Sequence, residues 1–294
     1  TIMVQVAIGL YRLQKWFGGD FAPVVDLAHR ADDAGVDQVS LTDHVVMGEN
    51  LDKYPYGRFP SGLDFPWFEP LTVLAAIAGA TRRIRLSTGV LIAPLRPAVL
   101  LAKQLATLDV MSRGRVTIGL GLGWQKEEYD ASGVPWEGRY TRLEEQIRVC
   151  KLLCSTVSFE RIHAWPRPVQ KGGVPIWLGL APSERNIERI AELGDGWIPM
   201  EKNPDLLAGH IGRLRHAFVA RGRDPQDLAV RVVLGALFRA DGTPDLEATL
   251  AAVPALVAAG VTMVEVLPLV FCRGPQEFDA FCQRLVAVKR EVAT

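Results

Sequence analysis

The feature that most constrains the fold is a unit that recurs along the whole chain: a short apolar strand pattern followed by a longer helical one. Strand patterns occupy 3–9, 37–42, 84–90, 115–120, 175–179, 196–199, 229–235 and 262–267. Helical periodicity occupies 23–34, 70–80, 98–111, 139–153, 184–193, 204–221, 246–259 and 276–292. Successive strands separated by a helix pair in parallel, since a tight hairpin is not available to them. Eight such units in 294 residues predict an α/β fold, a (β/α)8 TIM barrel, over an open doubly wound sheet. No linker, low-complexity tract or shift in composition divides the chain, so residues 1–294 read as one barrel domain with inserted loop segments at the carboxyl face. Gly35, Gly194 and Gly260 each stand where a helix ends before a strand, which predicts left-handed glycine caps and no chemistry.

Formal charge is balanced at 33 basic against 33 acidic residues, so no global field attracts nucleic acid or an anionic membrane. Charge or proline interrupts every apolar stretch well short of the ~20 residues that span a bilayer. The start, Thr1 to Ala7, lacks a basic region and a long apolar core and reads as a first strand, which suggests a cytoplasmic protein. Cys150 and Cys154 stand four apart in a helical pattern, with Cys272 and Cys282 far away. That is not metal-ligand spacing, so no metal site is expected; Cys150 and Cys154 read as small core residues, and the cysteines fit a reducing compartment.

Chemistry in a parallel barrel sits where strands pass into loops at their carboxyl ends. The second strand ends on Thr42-Asp43-His44, where the aspartate could equally cap a helix. His44 is the best general acid or base, because an imidazole titrates near neutrality; His29, His210 and His216 lie in helical patterns and His163 in a polar loop. Two long connections, 45–67 and 155–173, are both expected to rise from the functional face. The first carries Tyr54, Tyr56, Phe59, Phe65 and Trp67 and could cover a planar ligand or meet another subunit. The third strand ends on Thr88-Gly89-Val90. The fourth runs into Gly119-Leu120-Gly121-Leu122-Gly123-Trp124, whose glycine spacing is not that of a dinucleotide fingerprint. Gly121, Leu122 and Gly123 read instead as backbone that a flat ligand approaches, with Trp124 as a wall, or as close strand packing. Leu180-Ala181-Pro182-Ser183 opens a helix whose amides suit phosphate, and Lys202 could add positive charge, although ordinary capping explains Ser183 as well. Glu127 and Glu128 could offer an acid near the cleft, but a solvated first turn is the simpler reading. Tyr11, Tyr54, Trp67 and Trp124 are the candidate substrate contacts.

Three stretches carry a family resemblance: Ser40 to His44, Leu108 to Arg115 running into Gly119 to Trp124, and Leu193-Gly194-Asp195-Gly196-Trp197. In them, and from Gln5 to Val288 more broadly, the chain resembles the bacterial luciferase-like flavin and deazaflavin oxidoreductases. The resemblance implies a barrel with an inserted segment, a tricyclic ring over the carboxyl face, a homodimer, and a cis peptide between Gly89 and Val90. It implies that Asp43 and the backbone of Gly89 and Val90 meet the ring, that Leu180 to Ser183 with Lys202 surround the phosphate, and that His44 stands near the reacting carbon. Aspartate before His44 is similar to the F420-dependent branch, where many FMN monooxygenases carry glutamate. The expected function is therefore F420-dependent hydride transfer to or from a small organic substrate. An FMN-dependent monooxygenase and a non-catalytic flavin-binding protein are the alternatives. Trp124 stands where the F420-dependent glucose-6-phosphate dehydrogenases have a presumed glutamate proton donor, which argues against sugar phosphate oxidation.

Overall fold

The structure, a computed structural model, describes residues 3–292 apart from 156–157 and 160–161. Nine parallel strand segments form the central sheet: β1 (Gln5–Gly9), β2 (Gln38–Leu41), β3 (Arg85–Thr88), β4 (Leu91–Ile92), β5 (Ile118–Gly121), β6 (Ile176–Leu178), β7 (Gly196–Trp197), β8 (Ala229–Val233) and β9 (Met263–Val266). They run in the order β3-β2-β1-β9-β8-β7-β6-β5-β4. Because β3 and β4 are the two halves of one strand, the sheet is a ring of eight. It closes where the Leu86 amide donates to the Arg115 carbonyl and the Thr117 amide to the Leu86 carbonyl, each at 2.9 Å, and where β4 pairs with β5. This is the TIM barrel that the alternation of patterns predicts.

Around it lie α1 (Ala22–Ala34), α2 (Pro70–Ala80), α3 (Ala98–Met111), α4 (Lys126–Ala131), α5 (Arg139–Ser155), α6 (Glu184–Leu193), α7 (Pro204–Val219), α8 (Leu246–Leu250), α9 (Val253–Ala258), α10 (Pro268–Phe271) and α11 (Phe278–Val292). Barrel strands are covered on both sides, which is why Val6, Ile8, Leu86, Ile118, Val230 and Val264 are wholly buried. Each main helix turns an apolar stripe inward, as Ile187, Ile190 and Ala191 do in α6. All four cysteines are free and buried. Burial pushes the Cys150 thiol up to about 12 and the Cys154 thiol up to about 11, consistent with their reading as core residues.

The barrel interior is not uniformly apolar. Arg231 of β8 is fully buried; its Nη1 donates to Gln38 Oε1 at 2.5 Å and Ser87 Oγ at 2.9 Å, and its Nη2 to the Thr88 carbonyl at 2.8 Å. Its Nε lies 3.1 Å from Glu265 Oε2 of β9, and Glu265 Oε1 accepts from Ser40 Oγ at 2.7 Å. Burial pulls the Arg231 guanidinium below its ordinary range, partly offset by the Glu265 charge.

Four expectations are corrected. The third strand is not continuous over 84–90: its Gly89–Val90 peptide is cis and separates β3 from β4. The helix expected over 246–259 is two helices, because Pro254 supplies no amide and instead sits in the first turn of α9. Gly35 and Gly260 have the left-handed backbone expected of them, with φ of 90° and 103°, but Gly194 is extended at φ −95°. A β-carbon on Gly194 would stand 3.1 Å from the Ile190 carbonyl, so close approach explains that glycine. Finally, the described part of 155–173 lies at the amino face. It follows a helix rather than a strand, and Gln170 bonds Asp109 at 2.7 Å and the Val116 carbonyl at 2.7 Å, just ahead of β5.

Candidate active site

The first long connection, 45–67, does rise from the carboxyl face, and two sets of bonds tie it down. After β1, Tyr11 shares a hydroxyl contact with Ser61, and Arg12 Nη1 donates to the Pro60 carbonyl at 2.6 Å. After β5, Gln125 Oε1 accepts from the Gly48 amide at 2.9 Å while its Nε2 donates to the Gly48 carbonyl at 3.1 Å.

His44 stands at the centre of this assembly. Its ring centroid is 4.6 Å from that of Trp67, 5.7 Å from Phe59 and 6.1 Å from Trp124. Tyr54 packs behind at 5.1 Å from Phe59 and 5.2 Å from Trp124, and Tyr11 lies 5.9 Å from Trp67. The sequence-derived residues His44, Tyr11, Tyr54, Trp67 and Trp124 are thus brought into one aromatic cluster. Burial pushes the Tyr54 hydroxyl above its ordinary range, so the phenol is neutral. The indole N–H groups of Trp67 and Trp124 are buried without a partner among the described residues. Trp124 also walls an outer hollow of about 230 Å³ with Asn50, Lys53, Glu127 and Trp136.

Glu128, which the sequence offered as an acid near the cleft but which reads more simply as solvated, is the main polar member of this site. It is wholly buried rather than solvated. Its Oε2 is 2.9 Å from His44 Nδ1, and its Oε1 accepts from the Val45 amide at 2.8 Å. A signal for it existed: Gln125, at the N-cap of α4, and Glu128 and Tyr129 within it stand at helical spacing, and all three are buried while Lys126 and Asp130 are exposed. The Tyr129 hydroxyl secures that face by donating to the Leu122 carbonyl at 2.5 Å.

Asp43 points away from His44. Its Oδ2 accepts from the Ile92 amide at 2.8 Å and from Arg96 Nη1 at 2.7 Å, and its Oδ1 from Arg96 Nη2 at 3.1 Å. Arg96 also reaches Glu69, which caps α2 through the Thr72 amide. Burial alone would lower the Arg96 pKa, but the bonds and charges of Asp43 and Glu69 outweigh it and hold the guanidinium above its ordinary range. Asp43 therefore fastens the chain segment just beyond Gly89 and Val90. Arg96 gave no motif in the sequence.

Gly89 and Val90 are half-buried at the mouth of the barrel. Their backbone is supported from below, since a β-carbon on Gly89 would stand 2.9 Å from Arg231 Nη2. The space beside the other glycines of the mouth is filled by side chains, the close-packing reading of the two that the sequence offers. The Val90 side chain fills the space beside Gly121 and Gly179, and Ile92 fills that beside Gly123. Leu122 is a core residue.

On the far side of the mouth, the turn after β6 is well ordered by its own bonds. The Leu180 carbonyl accepts from Trp197 Nε1 at 2.9 Å, the Ala181 carbonyl from Asn186 Nδ2 at 2.9 Å, and Ser183 Oγ from the Asn186 amide at 3.3 Å. Ser183 is thus an ordinary helix cap, with Pro182 half-buried beside it. Lys202 follows the neighbouring strand β7, is exposed, and lays its stem over Gly235. No carboxylate among the described residues forms an ion pair with it. Among the described residues no group of side chains could hold a metal ion, and no helix is long and apolar enough to cross a membrane.

The chain and its barrel have counterparts among known proteins. The chain belongs to the luciferase-like monooxygenase family, whose model matches residues 4–264. An uncharacterized protein of Mycobacterium tuberculosis is 36% identical over 189 residues, 60% of this chain and 64% of that protein's length. An F420-dependent glucose-6-phosphate dehydrogenase of Kineococcus radiotolerans is 32% identical over 249 residues, 78% of this chain and 68% of the relative. A monooxygenase of Streptomyces bottropensis has the same fold, with a TM-score of 0.75 at 21% identity over 96% of this chain and 97% of that one. The relatives named here thus include a dehydrogenase and a monooxygenase.

Proposed function

We propose that the chain, as one domain over 1–294, is an F420-dependent oxidoreductase acting on a small uncharged organic substrate. The observation that carries this reading is the buried His44, held by Glu128 at 2.9 Å and standing at the carboxyl end of β2 in the same barrel mouth as the half-exposed Gly89–Val90 backbone. Similarity to an F420-dependent dehydrogenase favours the deazaflavin, as does Asp43 before His44. The residues present fit such a group. The cis Gly89–Val90 backbone, firm on Arg231 and open above, offers a floor for a planar ring, and the uncommitted ammonium of Lys202 offers charge to a phosphate at the rim.

F420, when bound, supplies or accepts a hydride at one ring carbon. His44 then holds or returns the proton that balances the hydride, on the nitrogen not engaged by Glu128. The aromatic rings of Phe59, Trp67 and Trp124 surround the imidazole and favour an apolar or planar substrate. The acids nearest His44 are already paired or capped, and Trp124 is no proton donor of the carboxylic kind. Both points disfavour a sugar phosphate. FMN with oxygen chemistry is the second reading, favoured by the family's monooxygenase members, and we read the functional unit as a homodimer.

Titrating the protein separately with F420 and with FMN, followed by absorbance and fluorescence, tests the cofactor. Tighter binding of F420 is expected, and FMN binding without detectable F420 binding overturns the assignment. His44→Ala is expected to slow turnover about 10²- to 10⁴-fold while cofactor affinity stays near wild type. Normal turnover in that variant removes His44 from the chemistry, and turnover with neither cofactor across a substrate panel leaves a flavin-binding protein.

A further inference from the structure

We propose that Glu128 is a positioning residue that fixes which nitrogen of His44 carries its permanent proton, leaving Nε2 as the working atom. The argument is one of hydrogen-bond supply and demand. Glu128 has two carboxylate oxygens and two neighbours: the Val45 amide at 2.8 Å from Oε1 and His44 Nδ1 at 2.9 Å from Oε2. The backbone amide can only donate, so Oε1 is committed to it. With Glu128 ionised, Oε2 can only accept, and the 2.9 Å contact then requires a proton on Nδ1. The neutral ring is therefore the Nδ1–H tautomer. Its Nε2 carries a lone pair and bonds no partner among the described residues, and it is this nitrogen that accepts and releases a proton.

The same accounting fixes what an isosteric change does. In Glu128→Gln the side chain keeps its shape but has one oxygen and one NH₂ group. The Val45 amide still requires the oxygen, so the NH₂ faces Nδ1 and donates to it. That forces Nδ1 to be the acceptor and moves the proton to Nε2. One oxygen-for-nitrogen exchange then turns the working atom from a proton acceptor into a donor that has no acceptor role.

The tautomer does not depend on the cofactor; its consequence for turnover rests on the reading of His44 given above. The test is imidazole ¹⁵N NMR of the protein labelled at its five histidines, with the His44 signals assigned by their loss in His44→Gln. In the wild type, the neutral ring is expected to be protonated at Nδ1, and only Nε2 is expected to titrate. A neutral Nε2–H ring in the wild type overturns the proposal without recourse to any variant. In Glu128→Gln the tautomer is expected to invert, with kcat falling at least tenfold and KM staying within about twofold. An unchanged tautomer in Glu128→Gln, or an inverted one with kcat intact, also overturns it. If His44→Ala turns over normally while the wild-type tautomer is as stated, the reaction assigned to His44 fails and the hydrogen-bond assignment stands.

Discussion

Val90 occupies the space that a β-carbon on Gly121 would need, and its Cγ1 lies 2.7 Å from where one on Gly179 would be. The half-exposed floor of the mouth is thus seated on two glycines of the neighbouring strands. Gly121→Ala is expected to push Val90 out of its seat, at a cost of about 1 to 3 kcal/mol from overpacking, and to weaken binding of the planar cofactor. Adding Val90→Ala in the same chain removes the clash and is expected to restore most of the stability. Urea unfolding of the single and double variants checks this, and an unaltered midpoint for Gly121→Ala contradicts it.

Asp43 and Arg96 meet through two bonds, at 2.7 and 3.1 Å, with Arg96 mostly buried. Removing either partner leaves a buried charge, which costs about 3 to 5 kcal/mol where no other partner remains. Glu69 still serves Arg96, so Asp43→Asn is expected at the lower end of that range. If Asp43 acts on the cofactor by fastening the segment after Val90, Arg96→Met reproduces the affinity loss of Asp43→Asn. If Asp43 touches the ring directly, only the Asp43 variant loses affinity. Parallel titrations of the two variants separate these outcomes.

Arg231 and Glu265 form an ion pair inside the barrel at 3.1 Å, with neither side chain more than 6% exposed. Arg231→Met is expected to destabilise the fold by about 3 to 5 kcal/mol, because Glu265 is left charged and dry. The paired change Arg231→Met with Glu265→Leu is expected to recover much of that loss. A double variant no more stable than the single one, measured by thermal unfolding, refutes this account.

Asp32 is expected to contribute to acid sensitivity. Burial raises its pKa, but the Arg82, Arg83 and Ile84 amides donate to it and outweigh that, leaving the carboxyl below its ordinary range. A lowered folded pKa means that the stabilisation is fully present above the unfolded value of about 3.9 and is lost as pH falls through the folded one. Asp32→Asn is expected to cost about 1 to 3 kcal/mol at pH 7 and to flatten the decline in stability below pH 4. Equal urea midpoints for wild type and variant at pH 7 rule this out.

Much of the fold was legible because it rests on local pattern. Strand and helix periods, repeated eight times, left a parallel barrel as the natural closure, and the end of β2 marked His44 because barrel topology places strand ends at the functional face. The aromatic segment before Trp67 was legible as a cover for the same reason: a long connection after a strand has only that face to occupy. The length of 155–173 does not reveal its face; its position after a helix does, because the end of a barrel helix lies at the amino face.

What only the tertiary structure decided are the partners of polar groups. Glu128 lies 84 positions from His44, Arg96 lies 53 from Asp43, and Arg231 lies 143 from Thr88. No periodicity spans such distances. A buried charge is tolerated only where the closed barrel delivers its counterpart, so whether an acid in the sequence is a solvated surface residue or the fixed partner of a buried imidazole is settled by closure. The sequence by itself determined the barrel and the strand end on which the histidine stands. The three-dimensional packing determined that Glu128 holds that histidine, that Asp43 does not face it, and that the glycines beside Val90 are seats for a side chain.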